Sequence, residues 1–205
     1  VSNRTTAIVH QGEFYVGLAP RGYVGEAGRE QVIDLQAADW ESQAVAGIPL
    51  TVVFYEHNWY SVKRQEDGYF YWDWVSEDIP LYTITVTTGD DGKAAAAYTP
   101  EEAGLYRVRA IGRDSHEHEI RASTYFWTWG GGGYVSWRQD SNNRINLIAD
   151  KKEYNVGDTA EILVPSPYSG TVQALVTTER GHLLQTEVQE LVGNSDVLRI
   201  PITED

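Results

Sequence analysis

Hydrophobic residues in this chain recur at every second position far more often than at helical spacing, and that period constrains the fold more than any other feature. In Leu81 to Thr87, Tyr82, Ile84 and Val86 alternate with threonines; in Leu105 to Ile111, Tyr106, Val108 and Ala110 alternate with Arg107 and Arg109. Ala160, Ile162 and Val164 make a third inward set, and Val172, Ala174 and Val176 a fourth. Successive side chains on a strand point to opposite faces, so each set marks the buried face of a sheet. No stretch sustains an amphipathic helix of three turns. Ala94 to Ala97 is helix-friendly, but it sits between the turn Gly89-Asp90-Asp91-Gly92 and Thr99-Pro100, so a short strand is expected there. Further turn signals stand at Ala19 to Gly22, Gly47-Ile48-Pro49, Thr99 to Gly104, Ser166-Pro167 and Glu179-Arg180-Gly181. A turn at intervals of roughly ten residues is the rhythm of antiparallel β-sandwiches of the immunoglobulin-like kind.

The 205 residues have room for two sandwiches of about 100 residues each. The clearest break is Gly130 to Gly133, four glycines flanked by Trp127, Trp129 and Trp137. The expected division is a leading strand at 1–9, a first sandwich at 10–129, a Gly-rich linker or hairpin tip at 130–143 and part of a second sandwich at 144–205. Within the first, Thr99 to Tyr106 leads from a turn through Gly104 into a strand whose second residue after the glycine is a tyrosine. That pattern fits a tyrosine corner, in which the hydroxyl returns to upstream backbone; the alternative is an ordinary core tyrosine.

Thirty acids against 16 bases give a formal net charge of -14. Such a surface repels a phosphate backbone, so nucleic acid is not an expected partner. Asp90-Asp91 invites comparison with a calcium site, yet a turn between strands explains the pair more simply. The absence of cysteine rules out a disulfide, a thiolate nucleophile and Cys-based zinc or iron–sulfur chemistry. No apolar run reaches the roughly 18 to 20 residues of a membrane helix, and no signal segment opens the chain, so Val1 reads as an internal position.

From Asp150 onward, Asp150-Lys151, Tyr154-Asn155-Val156-Gly157-Asp158-Thr159-Ala160, Val164-Pro165-Ser166-Pro167, Ala174-Leu175-Val176 and Glu179-Arg180-Gly181 succeed one another. This block resembles the opening of a macroglobulin-like domain of the bacterial alpha-2-macroglobulin family. Val9 to Leu18 leading to Tyr23-Val24-Gly25, Val45 to Leu50 before Tyr55 to Trp59, and Gly104 to Arg109 are similar to an earlier domain of the same family. The resemblance implies macroglobulin-like sandwiches in a broad-spectrum protease trap, in which a protease cuts a bait segment, the molecule rearranges and a thioester captures the attacker. A thioester needs a cysteine, which is absent here, and no long polar stretch suits a bait. The resemblance therefore implies a scaffolding role, outside the cytoplasm, with neighbouring domains of the same polypeptide as direct partners and target proteases met through the full-length protein. The second unit shows about five strands where a sandwich of this kind has about seven, so it is expected to be truncated.

Other chemistry is thinly signalled. His116-Glu117-His118, with Asp114, has metal-ligand residue types, but the polar Gly112 to His118 is better read as an exposed hairpin loop. His10, His57 and His182 stand apart from any nucleophile in sequence. No phosphate loop of the GxxxxGK type occurs, and with 30 acids a carboxylate pair is uninformative. The chain is expected to have no catalytic, cofactor-binding or metal site and not to be an enzyme. Trp59, Tyr60, Tyr69, Phe70, Tyr71, Trp72 and Trp74 place seven aromatics within sixteen residues. The favoured account has these rings filling the sandwich core, covering its edge or contacting a neighbouring domain. The alternative is a carbohydrate-binding or adhesive platform. Trp59, Tyr69, Tyr71, Trp72 and Trp74 are the candidate contact surface.

Overall fold

The computed structural model describes residues 4–6, 9–66, 68–138 and 143–204, and among them it has strands and no helix. The first unit contains β1 (Tyr15–Pro20), β2 (Val24–Glu26), β3 (Gln31–Ala38), β4 (Pro49–Glu66), β5 (Tyr69–Thr87), β6 (Lys93–Tyr98), β7 (Gly104–Arg113) and β8 (Glu119–Trp129). A three-stranded sheet ordered β1-β3-β6 faces a five-stranded sheet ordered β2-β8-β7-β4-β5. All pairs are antiparallel except the three-residue match of β2 with β8.

The alternation read in the sequence becomes the core. Tyr106, Val108 and Ala110 of β7 and Leu50, Val52 and Phe54 of β4 pack with Phe126 against Ile33, Leu35 and Ala96 of the opposite sheet. Each fully buried aliphatic side chain stabilises the fold by about 1.5–3 kcal/mol. Ile84 and Val86 join the same cluster. Ala94 to Ala97 lie in β6, entered through the Gly89–Gly92 turn. There Asp91 Oδ1 accepts the Lys93 N–H at 3.0 Å, and Gly92 sits at φ +72° against the Ala37 carbonyl, which a side chain would strike. The pair Asp90-Asp91 thus serves a turn.

The first strand of the structure begins at Tyr15: residues 4–6 and 9 of the expected leading strand are in no strand, and 1–3, 7 and 8 lie outside the described residues. The segment after the four glycines, expected to be a Gly-rich linker or hairpin tip, buries Trp137, which is 8% exposed. Residues 139–142 lie outside the described residues.

The second unit contains β9 (Ile148–Ala149), β10 (Thr159–Pro165), β11 (Thr171–Glu179), β12 (Leu183–Val192) and β13 (Ser195–Pro201). It forms a sheet ordered β13-β10-β9 and a hairpin β11-β12, all antiparallel. Its own core is small: Val164, Leu191 and Leu198, with Ile162, Val172, Ala174 and Val176 against them. Strand β10 is buried on both faces. Ile162 and Val164 point into this core, while Leu163, fully buried, points the other way with Val197, its cross-strand partner.

Candidate functional site

The second face of β10 meets the outer face of the five-stranded sheet. Leu163, Val197, Val24 and Trp137 form a buried cluster there, flanked by Leu105, Trp127, Trp129, Val135 and Ile148. Asn194, in the turn between β12 and β13, locks it and is 2% exposed. Its Oδ1 accepts the Val135 N–H at 3.1 Å, its Nδ2 donates to the Val135 carbonyl at 2.7 Å, and its own carbonyl accepts Trp137 Nε1–H at 2.5 Å. The Tyr23 N–H donates to the Asp150 carbonyl at 2.7 Å, and Ser136 Oγ donates to the Trp59 carbonyl at 2.9 Å. This seam ties the two units through the segment expected to be a Gly-rich linker or hairpin tip.

The long hairpin β4–β5 carries the candidate contact surface. Only Thr51 to Glu56 of β4 pair with β7, so beyond Glu56 the hairpin runs on as a two-stranded ribbon about 30 Å long. The register sets Tyr69 opposite Glu66, Phe70 opposite Gln65, Tyr71 opposite Arg64 and Trp72 opposite Lys63. These four rings are 80%, 62%, 43% and 69% exposed, so core filling does not account for them. Strand alternation places Phe70, Trp72, Trp74 and Trp59 on one face of the ribbon and Tyr69 and Tyr71 on the other. The Lys63 ammonium lies 4.3 Å from the Phe70 ring centre, and Arg64 pairs with Asp73 at 2.8 Å. Nearer the root, Trp59 is half-buried, with the Arg138 guanidinium 4.8 Å from its ring. Trp74 is half-buried as well.

At the ribbon's root, His57, which looked isolated in sequence, is 7% exposed, with its Nδ1 2.6 Å from Asp78 Oδ1. Arg107 donates to Asp78 Oδ2 at 2.9 Å and Arg109 stands 3.7 Å away. Burial by itself would raise the Asp78 carboxyl, but the hydrogen bonds of His57 and Arg107 and the Arg107 charge outweigh it and hold the group below the ordinary carboxylate range. Three strands are thereby joined by one ionised cluster.

The tyrosine corner is present. Tyr106 Oη donates to the Glu102 carbonyl at 2.9 Å, which Thr128 Oγ1 also reaches at 2.8 Å, and burial pushes the phenol up to about 12. The His116 loop is a hairpin connection between β7 and β8, with Asp114 buried beneath it. Asn194 and Leu163 were missed in sequence. A Gly-Asn pair signals only a turn, and Leu163 falls off the period that picks out Ile162's face, which was the available hint of a second buried face.

Residues 145–205 match a family model described as the alpha-2-macroglobulin bait region domain; in the structure its described residues form β9 to β13 and their turns. An alpha-2-macroglobulin homolog of Nostoc sp. is 25% identical over 185 residues, 89% of this chain and 9% of that protein. Among solved structures, the native conformation of Escherichia coli alpha-2-macroglobulin aligns over 94% of this chain and 13% of its own, at 18% identity and TM-score 0.49. The Salmonella alpha-2-macroglobulin reacted with methylamine aligns over the same shares at 18% identity and TM-score 0.47. The chain thus spans 9% of the curated relative it matches. Residues 145–205 thus match the bait region domain of alpha-2-macroglobulins, and 89% of the chain is similar to one stretch of an alpha-2-macroglobulin homolog.

Proposed function

We propose that the chain is a non-catalytic scaffolding pair of domains in an alpha-2-macroglobulin-like protease trap acting outside the cytoplasm. The match of residues 145–205 to a bait region domain supports a place in such a trap, beside a bait that the sequence alone did not suggest, and the seam that holds this unit against the first sandwich supports the scaffolding role. A trap that rearranges after cleavage needs stiff blocks between its moving parts, and a tryptophan-lined seam closed by buried hydrogen bonds supplies stiffness. Neighbouring domains of the same polypeptide are the direct partners. The β11–β12 outer face supports this, with Leu175 and Val188 directly paired and 69% and 64% exposed.

The ribbon fits the same role. Besides the row of Phe70, Trp72, Trp74 and Trp59 on one face, Tyr69 and Tyr71 stand on the other, which a one-sided sugar platform does not require. Rings on both faces suit a wedge held between two protein surfaces, so the ribbon is read as an interdomain contact through Trp59, Tyr69, Tyr71, Trp72 and Trp74. Among the described residues no helix is long and apolar enough to cross a membrane. The test is to incubate the full-length protein with trypsin and follow protease activity on a protein substrate while mapping the first cuts by mass spectrometry. Loss of protease activity, with first cuts outside residues 15–138, is expected; undiminished activity alongside cleavage within the first sandwich would overturn the reading.

A further inference from the structure

The end of the first sandwich away from the seam gathers chemistry that a scaffold does not require. The loop Asp114 to His118 closes on the segment that precedes β1. The Asp114 side chain is fully buried: its Oδ1 accepts the N–H groups of His116 at 3.0 Å and His118 at 2.8 Å, and its Oδ2 lies 2.9 Å from His118 Nδ1. Glu13 reaches the loop from the other side. Its Oε2 accepts the Ser115 N–H at 3.0 Å, and its Oε1 accepts Ser115 Oγ at 2.8 Å and lies 3.1 Å from His116 Nδ1. Gly12 permits this approach, because a side chain there would collide with Ile120. His10 lines the same depression, so three of the chain's five histidines converge on it.

Asp114 suffices to hold a loop this short, through its two backbone hydrogen bonds. The imidazoles are not needed for that, and His116 and His118 keep 67% and 60% of their side chains exposed. Their spacing is informative. The Glu13–His116 pair, 3.1 Å apart, is close enough for both groups to turn toward one ion. A carboxylate oxygen of Glu13, one of Asp114 and a ring nitrogen of His116 lie within 4.8 Å of one another, the span of one coordination sphere. Hydrogen bonds from Ser115 keep the Glu13 carboxyl below its ordinary range. Burial would raise Asp114, but the backbone and ring hydrogen bonds of His118 prevail and lower it, so both groups stand as anions at neutral pH.

We propose that Glu13, Asp114 and His116 form a binding site for a divalent transition-metal ion of the zinc class, with His118 bonded to Asp114 beside them. Mixed imidazole and carboxylate donors suit such ions, whereas calcium and magnesium prefer oxygen alone. The ion takes the place of the Glu13–His116 contact and staples the segment before β1 to the β7–β8 loop.

Zinc chloride titrated calorimetrically into the 205-residue chain, with parallel thermal melts, tests this. One saturable site and a melting temperature that rises with zinc are expected. Glu13→Gln, which keeps the side chain's shape and an acceptor for Ser115, and His116→Ala each weaken binding by about tenfold or more with unchanged far-UV dichroism. His182→Ala, in the remote β11–β12 turn, leaves binding as it is. No saturable heat, calcium chloride binding more tightly than zinc, or affinity indifferent to changes at Glu13 and His116 would overturn the proposal.

Discussion

Asp78 shows what a single side chain contributes to this architecture. It binds His57 of the same hairpin and two arginines of β7, so it fixes where the ribbon leaves the sheet. Asp78→Asn keeps the shape and removes the charge, and is expected to destabilise the chain by about 2 kcal/mol at neutral pH. The folded carboxyl is held below its ordinary value of 3.8, so the contribution is intact above that value and is lost as pH falls through the lower folded value. Urea unfolding of both proteins from pH 7 down to pH 2.5 should therefore show the gap closing toward the acid end; a gap independent of pH would mean that the charge does not matter. Tyr106 was legible in sequence and Asp78 was not, for a reason of range. A tyrosine corner is written within five residues, Glu102 to Tyr106, whereas Asp78 and His57 lie 21 residues apart and meet only once the hairpin register is set.

At the scale of elements, alternation identified the second half of β5 and β7, β10 and β11, and the flanking turns identified β6. It misjudged elements whose two faces are both used or both exposed. Strand β10 has an apolar residue on each face at Ile162, Leu163 and Val164, and period two shows only one set. The ribbon errs the other way: composition cannot tell a ring that fills a core from one that stands in solvent at the end of a hairpin. Its exposure makes a clear prediction. Tyr69→Ala with Trp72→Ala should change the unfolding free energy of the 205-residue chain by no more than about 0.5 kcal/mol each, as measured by urea denaturation, while weakening contact with the rest of the polypeptide. A loss of several kcal/mol would show that the rings support the sandwich itself.

For the whole molecule, the decisive feature is the seam. The second unit's core is thin, three buried residues and their neighbours, and its stability depends on the outer face of the first sandwich. The family resemblance was visible in the Asp150 to Gly181 block, but nothing in the sequence said that Asn194 would reach 59 residues back to Val135. Differential scanning calorimetry of the 205-residue chain and its Asn194→Ala variant tests the central claim that the two units form one block. A single cooperative transition is expected for the parent chain, with calorimetric and van't Hoff enthalpies equal. In the variant, the unpaired Val135 groups should cost about 3 kcal/mol and split the transition in two. Two independent transitions in the parent chain, with only the lower one shifted by Asn194→Ala, would contradict it.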